Sequence, residues 1–133
     1  MLQVKTYIDK SHIHGIGLFA AENIKVGNVV WSYIPWFDKS FSISHYRDML
    51  KMKNPLGEYV RKYSFYDRQT DMIILSGDDD RFTNHSNNPN TKPNEFGDMI
   101  AARDIKKGEE ITANYYEIDK YADDKLHVSL FNE

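Results

Sequence analysis

The sequence predicts a single domain that is mainly β, with a small helical insert. Three observations predict it. The chain has 133 residues, the usual length of one domain. Short apolar or alternating runs are separated by turn residues, which is typical of strands. In the middle of the chain, apolar residues recur at helical spacing. Hydrophobic residues make up 41% and there is no cysteine, which excludes disulfides, Cys-type zinc sites, thiolate nucleophiles and iron–sulfur clusters.

The first third of the chain is predicted to form strands. Residues 4–8 alternate in polarity, and an apolar run follows at residues 16–21. Between them, residues 12–17 have the composition of a glycine loop. A Gly27-Asn28 turn then leads into residues 29–33, which are rich in β-branched and aromatic side chains and are predicted to form a further strand.

The middle of the chain is predicted to form the helical insert, at about residues 42–63. Its second part has apolar side chains at i, i+3, i+4 and i+7, namely Leu56, Tyr59, Val60 and Tyr63. A shorter helix before it is indicated by Tyr46, Met49 and Leu50. Pro55 separates the two helices, because its ring cannot continue a helix.

The second half of the chain returns to short strands. Residues 64–67 and 72–76 are predicted to form a hairpin, and residues 77–98 are rich in the residues that favour turns. Strands are predicted at 99–102 and 111–116.

A glycine pattern near the start, Gly15-Ile16-Gly17-Leu18-Phe19-Ala20, matches the G-x-G-x-x-A of dinucleotide-binding folds. Those folds require a helix after the glycines, whereas the Gly-Asn turn arrives seven residues after Ala20. Asp38 stands at the distance of the ribose-binding acid, but no helix is predicted in between. We therefore disfavour a nucleotide site, and the glycines indicate a tight backbone or a ligand that approaches closely.

Two polar motifs stand apart from the rest. The first is Arg81-Phe82-Thr83-Asn84-His85-Ser86-Asn87-Asn88-Pro89-Asn90, and the second is Gly108-Glu109-Glu110-Ile111-Thr112-Ala113-Asn114-Tyr115. The first, rich in Asn and Ser, could be a surface loop. Together with Gly15-Ile16-Gly17, in this order, they resemble the motifs of the SET-domain protein lysine methyltransferases. The resemblance extends from about residue 8 to residue 116.

The resemblance implies a SET-domain (β-clip) fold over residues 1–133, with small curved sheets and a threaded, pseudoknot-like C-terminal motif. It implies a methyl transfer from S-adenosylmethionine to the ε-amine of a lysine in a protein substrate. By the family's pattern, the backbone around Ile16, Gly17, Asn84 and His85 would hold the cofactor. Tyr115 would line the reaction centre as the catalytic residue.

The chemistry of methyl transfer suggests roles for Tyr115 and His85. A free lysine has a pKa of about 10.4, so roughly one molecule in 2,500 is neutral at pH 7 and able to attack a methyl group. A narrow aromatic channel lowers that pKa because it desolvates the ammonium. We expect Tyr115 to orient the reacting groups, with proton acceptance as the weaker alternative. We expect His85 to be neutral and to hydrogen-bond to buried backbone.

The sequence departs from the family pattern in three places. Pro35 replaces the glycine of a Tyr-x-Gly, so the assignment of Tyr33 to the substrate channel is in doubt. Ala113, also assigned to the channel, stands where a Phe or Tyr often sets how many methyl groups are added. The Cys-rich, zinc-binding segment that closes the channel in many members is absent. Its replacement would be residues 117–133, through Tyr121, Leu126, Val128, Leu130 and Phe131, or a second subunit in a homodimer.

Other aromatic residues are expected in the core more than in the channel, namely Trp36, Phe37, Tyr63, Phe65 and Tyr66. No metal is expected, since the two imidazoles of His12-Ile13-His14 lack a carboxylate partner at helical spacing.

Charge and targeting signals bear on partners. The net charge of −3 disfavours nucleic acid, and residues 104–133, at −4, suit a basic protein or peptide. The sequence begins without a secretory signal and has no 18-residue apolar stretch, so we expect no membrane contact and an intracellular, cytoplasmic location, or a nuclear or host-nuclear one if the substrate is a histone. Two other hypotheses stay open: a catalytically silent peptide-binding module on the same fold, and a small β-domain that recognises sugars or ice.

Overall fold

The computed structural model describes residues 1–52 and 54–119, and the elements below are those of this part of the chain. One sheet joins the first hairpin of the chain to strands from residues 84–85 and 110–113. It contains β1 (Thr6–Lys10), β2 (Ile16–Ala20), β7 (Asn84–His85) and β10 (Glu110–Ala113), in the order β1-β2-β10-β7. β10 pairs antiparallel with β2 and parallel with β7, so β10 lies between the first hairpin and the strand from the middle of the chain.

Two further antiparallel sheets have three strands each. One has the order β3-β9-β8 and consists of β3 (Val29–Trp31), β8 (Thr91–Pro93) and β9 (Met99–Ala101). The other has the order β4-β6-β5 and consists of β4 (Lys39–Phe41), β5 (Ser64–Asp67) and β6 (Met72–Leu75). Together with the helices, these sheets confirm the prediction of a mainly β protein with a helical insert.

The two helices of the insert are α1 (Ile43–Lys51) and α2 (Pro55–Tyr63). Each begins at a polar cap, because the first backbone N–H groups of a helix have no partner within it. Ser42 Oγ accepts a hydrogen bond from His45 N at 3.1 Å, and Asn54 Oδ1 accepts one from Leu56 N at 3.1 Å. A short helix, α3 (Tyr115–Ile118), follows β10 directly.

The main hydrophobic core lies under the first two sheets. It includes Leu18 from the middle of β2 and Ile111 from β10, both at most 2% exposed. Ile24 and Ile105, also in this core, form an antiparallel bridge between two turns. A smaller cluster, of Tyr46, Val60 and Ile73, packs the helices on the third sheet.

Several predicted boundaries were wrong. The first strand begins at Thr6, and the strand predicted to reach residue 33 ends at Trp31. The strand predicted at 111–116 ends at Ala113, because Asn114 caps α3 by accepting a hydrogen bond from Tyr116 N at 3.0 Å. Residues 77–98 were interpreted as turns. They contain a 3₁₀ turn at Asp79–Phe82 and the strands β7 and β8.

Trp36 is not in the core. It is 85% exposed at the tip of a turn that Asp38 closes, with Asp38 Oδ2 accepting from Ile34 N at 2.8 Å. Phe37, in the same turn, is 38% exposed. The prediction of core packing was therefore wrong for both aromatic residues.

The described helices are all too short and too polar to cross a membrane.

Candidate active site

The two polar motifs lie side by side through the parallel pairing of β7 and β10. Thr112 is aligned with Asn84 and Ala113 with His85. The pairing continues at Ser86, whose backbone N–H donates to the carbonyl of Ala113 at 3.0 Å. This register carries the chain from Ala113 directly to Tyr115, so Tyr115 lies next to His85.

Asn90 fastens the far end of the first motif to β10. It is 2% exposed, and its amide oxygen accepts from Thr112 N at 2.9 Å while its amide nitrogen donates to the carbonyl of Glu110 at 2.8 Å. Thr91 Oγ1 donates to the carbonyl of Thr112 at 2.7 Å. Buried polar groups satisfied in this way hold one arrangement of the backbone, so the contact between the motifs is rigid.

Asn84 connects β7 to the glycine loop. Its amide nitrogen lies 3.0 Å from the carbonyl of His14 and 3.3 Å from that of Ile16. It is also 3.0 Å from Glu110 Oε2, and Ser11 Oγ donates to the same carboxylate at 2.9 Å. The Asn84 amide of the first motif and the Glu110 carboxylate of the second therefore hold the glycine loop in place.

The glycines of the loop are required for two different reasons. Gly15 has a φ of +52°, in the left-handed region that side chains disfavour. At Gly17 a Cβ atom would lie 2.6 Å from Glu110 Oε2, so the space is occupied by that carboxylate. The sequence prediction of a tight backbone is confirmed at both positions.

The ring of His85 is fixed at both nitrogens. Its Nδ1 accepts a hydrogen bond from the backbone N–H of Tyr115 at 3.1 Å, and its Nε2 lies 3.0 Å from Asn87 Oδ1. Since Nδ1 accepts and Asn87 offers an oxygen, the hydrogen-bond network assigns the proton to Nε2. The expected hydrogen bond between the His85 ring and the backbone is confirmed, with the N–H of Tyr115 as the donor. The ring also packs against that of Tyr115, with centroids 5.3 Å apart and the two planes tilted by 60°.

The phenol of Tyr115 is held in its protonated form. Its hydroxyl donates to the carbonyl of Thr83 at 2.6 Å. Burial, followed by the negative charges of Asp80, Asp119 and Glu110, raises the pKa of Tyr115 above its usual range. The phenol can therefore orient other groups, whereas acceptance of a proton would first require the phenolate, which this environment disfavours.

A cavity of about 250 Å³ opens beside Tyr115. Its wall includes Ala113, which is 2% exposed, and three further aromatic side chains, those of Trp31, Tyr63 and Phe65. Trp31 and Phe65 pack edge to face with ring centroids 5.8 Å apart. The indole N–H of Trp31 is buried and has no hydrogen-bond partner among the described residues.

The structure thus groups the predicted site residues around two places. Ile16, Gly17, Asn84 and His85 lie along the glycine loop and β7, and Ala113 and Tyr115 line the cavity. Tyr33 is half-buried beyond the end of β3 and is not part of the cavity wall. Of the predicted closing segment, residues 120–133 lie outside the described residues, and so do all five side chains named for it.

Three residues at this site were missed by sequence reasoning: Thr83, which accepts the phenol's hydrogen bond, Glu110, which holds the glycine loop, and Asp80, which lines the cavity. Glu110 could have been noticed, since it lies in the second motif. Asp80 is hidden in a run of three aspartates that is typical of a surface turn. In the part of the chain described, no group of three potential metal ligands comes together.

Comparison with known proteins decides the family. Residues 15–116 match the SET domain, which is more than half of the chain. The chain belongs to the SET-domain family. The match begins at the first glycine of the loop and ends one residue after Tyr115, so it spans all three motifs. A comparison with curated proteins found no match.

Solved structures agree on the fold of this SET domain. Polycomb Repressive Complex 2 from Chaetomium thermophilum, in an autoinhibited conformation bound to S-adenosylmethionine, superimposes with a TM-score of 0.69 at 24% identity over 95% of the chain. A crystal structure of that complex superimposes with a TM-score of 0.65 at 26% identity over 84% of the chain. The chain spans 17% and 15% of those two proteins.

A smaller protein from Plasmodium falciparum, named as a histone methyltransferase, gives a TM-score of 0.56 at 22% identity. The match covers 86% of this chain and 95% of that protein. These similarities confirm the SET fold that the sequence predicts.

Proposed function

We propose that the protein transfers a methyl group from S-adenosylmethionine to the ε-amine of a lysine in a protein substrate. One observation carries this proposal: Tyr115 is fixed by His85 and Thr83 at the wall of an aromatic cavity. A phenol anchored at both its backbone and its hydroxyl is preorganised, which is what alignment of a nucleophile with a methyl group requires.

The residues of the glycine loop fit a cationic adenosyl cofactor. Glu110 is partly exposed, and its carboxylate accepts hydrogen bonds from Ser11 and Asn84 but makes no ion pair within the described residues. Its negative charge beside the loop is therefore available to a cation. The backbone of Ile16, Gly17, Asn84 and His85 would hold the cofactor there. When bound, S-adenosylmethionine supplies an electrophilic methyl group on a positively charged sulfur.

The cavity suits the lysine. Its aromatic wall desolvates an ammonium and so favours the neutral amine that can attack. The Tyr115 hydroxyl, which keeps its proton, orients the nitrogen. Ala113 contributes only a methyl group to the wall, which leaves room for a nitrogen that already carries methyl groups.

A basic protein or peptide is the substrate class that we propose. The acidic balance of residues 104–133 supports it, as does the naming of one structural neighbour as a histone methyltransferase. We propose an intracellular location on the same basis. Closure of the cavity by residues 117–133 or by a second subunit also stays a proposal.

Isothermal calorimetry with S-adenosylmethionine tests the cofactor step. We expect micromolar binding by the wild type, and binding of similar strength by Tyr115→Phe, because the phenol faces the cavity. Replacement of Asn84 by Ala should weaken binding, since the glycine loop loses its amide anchor. Failure of the wild type to bind would overturn the proposal.

A catalytically silent peptide-binding module is the second candidate. The position of Tyr33 favours it, since a residue assigned to the substrate channel stands outside the cavity wall. Such a module would bind a lysine peptide, and it would give no methylated product with S-adenosylmethionine present. Transfer of tritium from labelled S-adenosylmethionine to any protein of a lysate excludes it.

A further inference from the structure

Asp80 is a carboxylate of the cavity wall, separate from the residues assigned above to the cofactor and to the lysine. It lies in the 3₁₀ turn, one residue before the first motif begins at Arg81. Ser76 Oγ donates to its Oδ2 at 2.9 Å, and Thr83 Oγ1 lies 3.4 Å from its Oδ1. The backbone N–H of Thr83 donates to the carbonyl of Asp80 at 3.0 Å, which fixes the two residues relative to each other.

Thr83 connects Asp80 to Tyr115. Its carbonyl accepts the phenol's hydrogen bond, while its hydroxyl and its N–H face Asp80. All three residues line the same cavity. A side chain that reaches Tyr115 from the cavity therefore arrives beside the Asp80 carboxyl as well.

The charge of Asp80 is poorly compensated. Burial raises the pKa of this carboxyl from 3.8 to about 6, the Ser76 hydrogen bond opposes the rise, and the negative charge of Asp78 adds to it. The terminal ammonium and Thr83 also lower this pKa, each by less than Ser76 does. The carboxyl makes no ion pair among residues 1–52 and 54–119. The other charged residues of the cavity wall are Lys62, Asp67, Arg68, Arg81, Glu117 and Asp119.

We propose that Asp80 accepts the proton that the target lysine must lose before its nitrogen can attack, an inference that rests on the proposed function. The lysine N–H bond breaks and an O–H bond forms on the Asp80 carboxyl. The electron pair stays on the nitrogen and makes it the nucleophile. Asp80 later returns the proton to water that enters the cavity.

The other groups near Tyr115 suit this task less well. Tyr115 itself retains its proton, as described above. Asp119 is 3% exposed and accepts from Tyr66 N at 3.0 Å, so it fastens β5 to the end of α3. Asp67 accepts from Thr70 Oγ1 at 2.6 Å in the β5–β6 turn. Asp80 combines an ionised form at neutral pH with a readily accepted proton, which a general base requires.

The test compares Asp80→Asn with Asp79→Asn. Both variants lose one negative charge from the same 3₁₀ turn, but Asp79 is not part of the cavity wall. The probe is the lysine peptide that the wild type methylates best in an array of lysine-containing peptides. For each protein, kcat and KM are measured from pH 5 to pH 9, and S-adenosylmethionine binding is measured by calorimetry.

We expect the wild type and Asp79→Asn to lose kcat/KM below about pH 6, where Asp80 becomes protonated. Asp80→Asn should lack this acid limb and should have a kcat lower by roughly 10²-fold at pH 8, with unchanged cofactor affinity. A wild-type profile without an acid limb near pH 6 would overturn the inference even if Asp80→Asn did not fold.

The outcomes separate the inference from the proposed function. If the wild type binds and transfers but Asp80→Asn has the same rate and pH profile, the inference fails and the proposed function stands. If the wild type methylates no peptide, both fail.

Discussion

The charge of Asp80 leads to a prediction about stability that does not depend on catalysis. Asp80→Asn replaces a carboxylate by an amide of almost the same shape, and the amide can still hydrogen-bond to Ser76. What the substitution removes is a negative charge held in a desolvated place. At neutral pH the variant should therefore be more stable than the wild type, although it is expected to be the poorer enzyme.

The size and sign of the effect follow from linkage. The pKa of Asp80 rises from 3.8 to about 6 on folding, so the native state binds this proton more tightly than the unfolded chain does. The contribution of Asp80 to wild-type stability should fall as the pH rises from 3.8 to about 6 and then stay level. Two pKa units correspond to about 3 kcal/mol in the free energy of unfolding. The difference in the free energy of unfolding between Asp80→Asn and the wild type should therefore be about 3 kcal/mol larger above pH 6 than at pH 3.5.

Urea unfolding between pH 3.5 and pH 8, followed by circular dichroism, measures this difference directly. Asp79→Asn is the matched control, and the wild-type and control stabilities should run parallel throughout. A gap between Asp80→Asn and the wild type that stays constant with pH, or that narrows above pH 6, would refute the assignment of a desolvated carboxyl to Asp80.

Three other substitutions test separate parts of the site. His85→Leu leaves the backbone N–H of Tyr115 unpaired and should lower the free energy of unfolding by about 1–3 kcal/mol. His85→Asn should recover part of this loss, because its amide can accept a hydrogen bond. Equal urea midpoints for the wild type and His85→Leu would contradict this. Gly17→Ala displaces the Glu110 carboxylate and should weaken calorimetric S-adenosylmethionine binding roughly tenfold, about 1.4 kcal/mol, and unchanged affinity would contradict it. Ala113→Phe fills part of the cavity, so mass spectrometry should show fewer methyl groups per lysine; an unchanged product distribution would show that Ala113 does not limit the space.

Local structure was largely predictable from the sequence. The hairpin of β5 and β6 has the predicted limits to within one residue, because Arg68-Gln69-Thr70-Asp71 is a compact turn between two apolar runs. Both helices lie within the predicted insert, since Pro55 and its Asn54 cap mark a start that residue types alone reveal.

The assembly of the site was less predictable, because it depends on contacts between distant residues. The pairing of Asn84 with Thr112 joins a two-residue strand to a partner 28 positions away, and so short a strand has no periodicity to detect. The resemblance to a known family implied that the motifs meet, whereas spacing did not. Trp36 shows the converse limit: an aromatic residue is expected in a core, but its place at the tip of a closed turn exposes it.

Asp80 illustrates why function is harder to predict than fold. In the sequence it is one of three consecutive aspartates, and all three suit an exposed turn. Only the 3₁₀ turn, the contact with Thr83 and the desolvated cavity distinguish it from its neighbours. Such differences arise from tertiary burial, which a single sequence does not encode locally.

The proposed function depends on Tyr115, which we propose serves methyl transfer to a lysine. Its most direct test is mass spectrometry of a cell lysate incubated with S-adenosylmethionine and either the wild type or Tyr115→Phe. We expect methylated lysines with the wild type and none with Tyr115→Phe, although both proteins bind the cofactor. Equal methylation by the two proteins, or none by a wild type that binds S-adenosylmethionine, would contradict it.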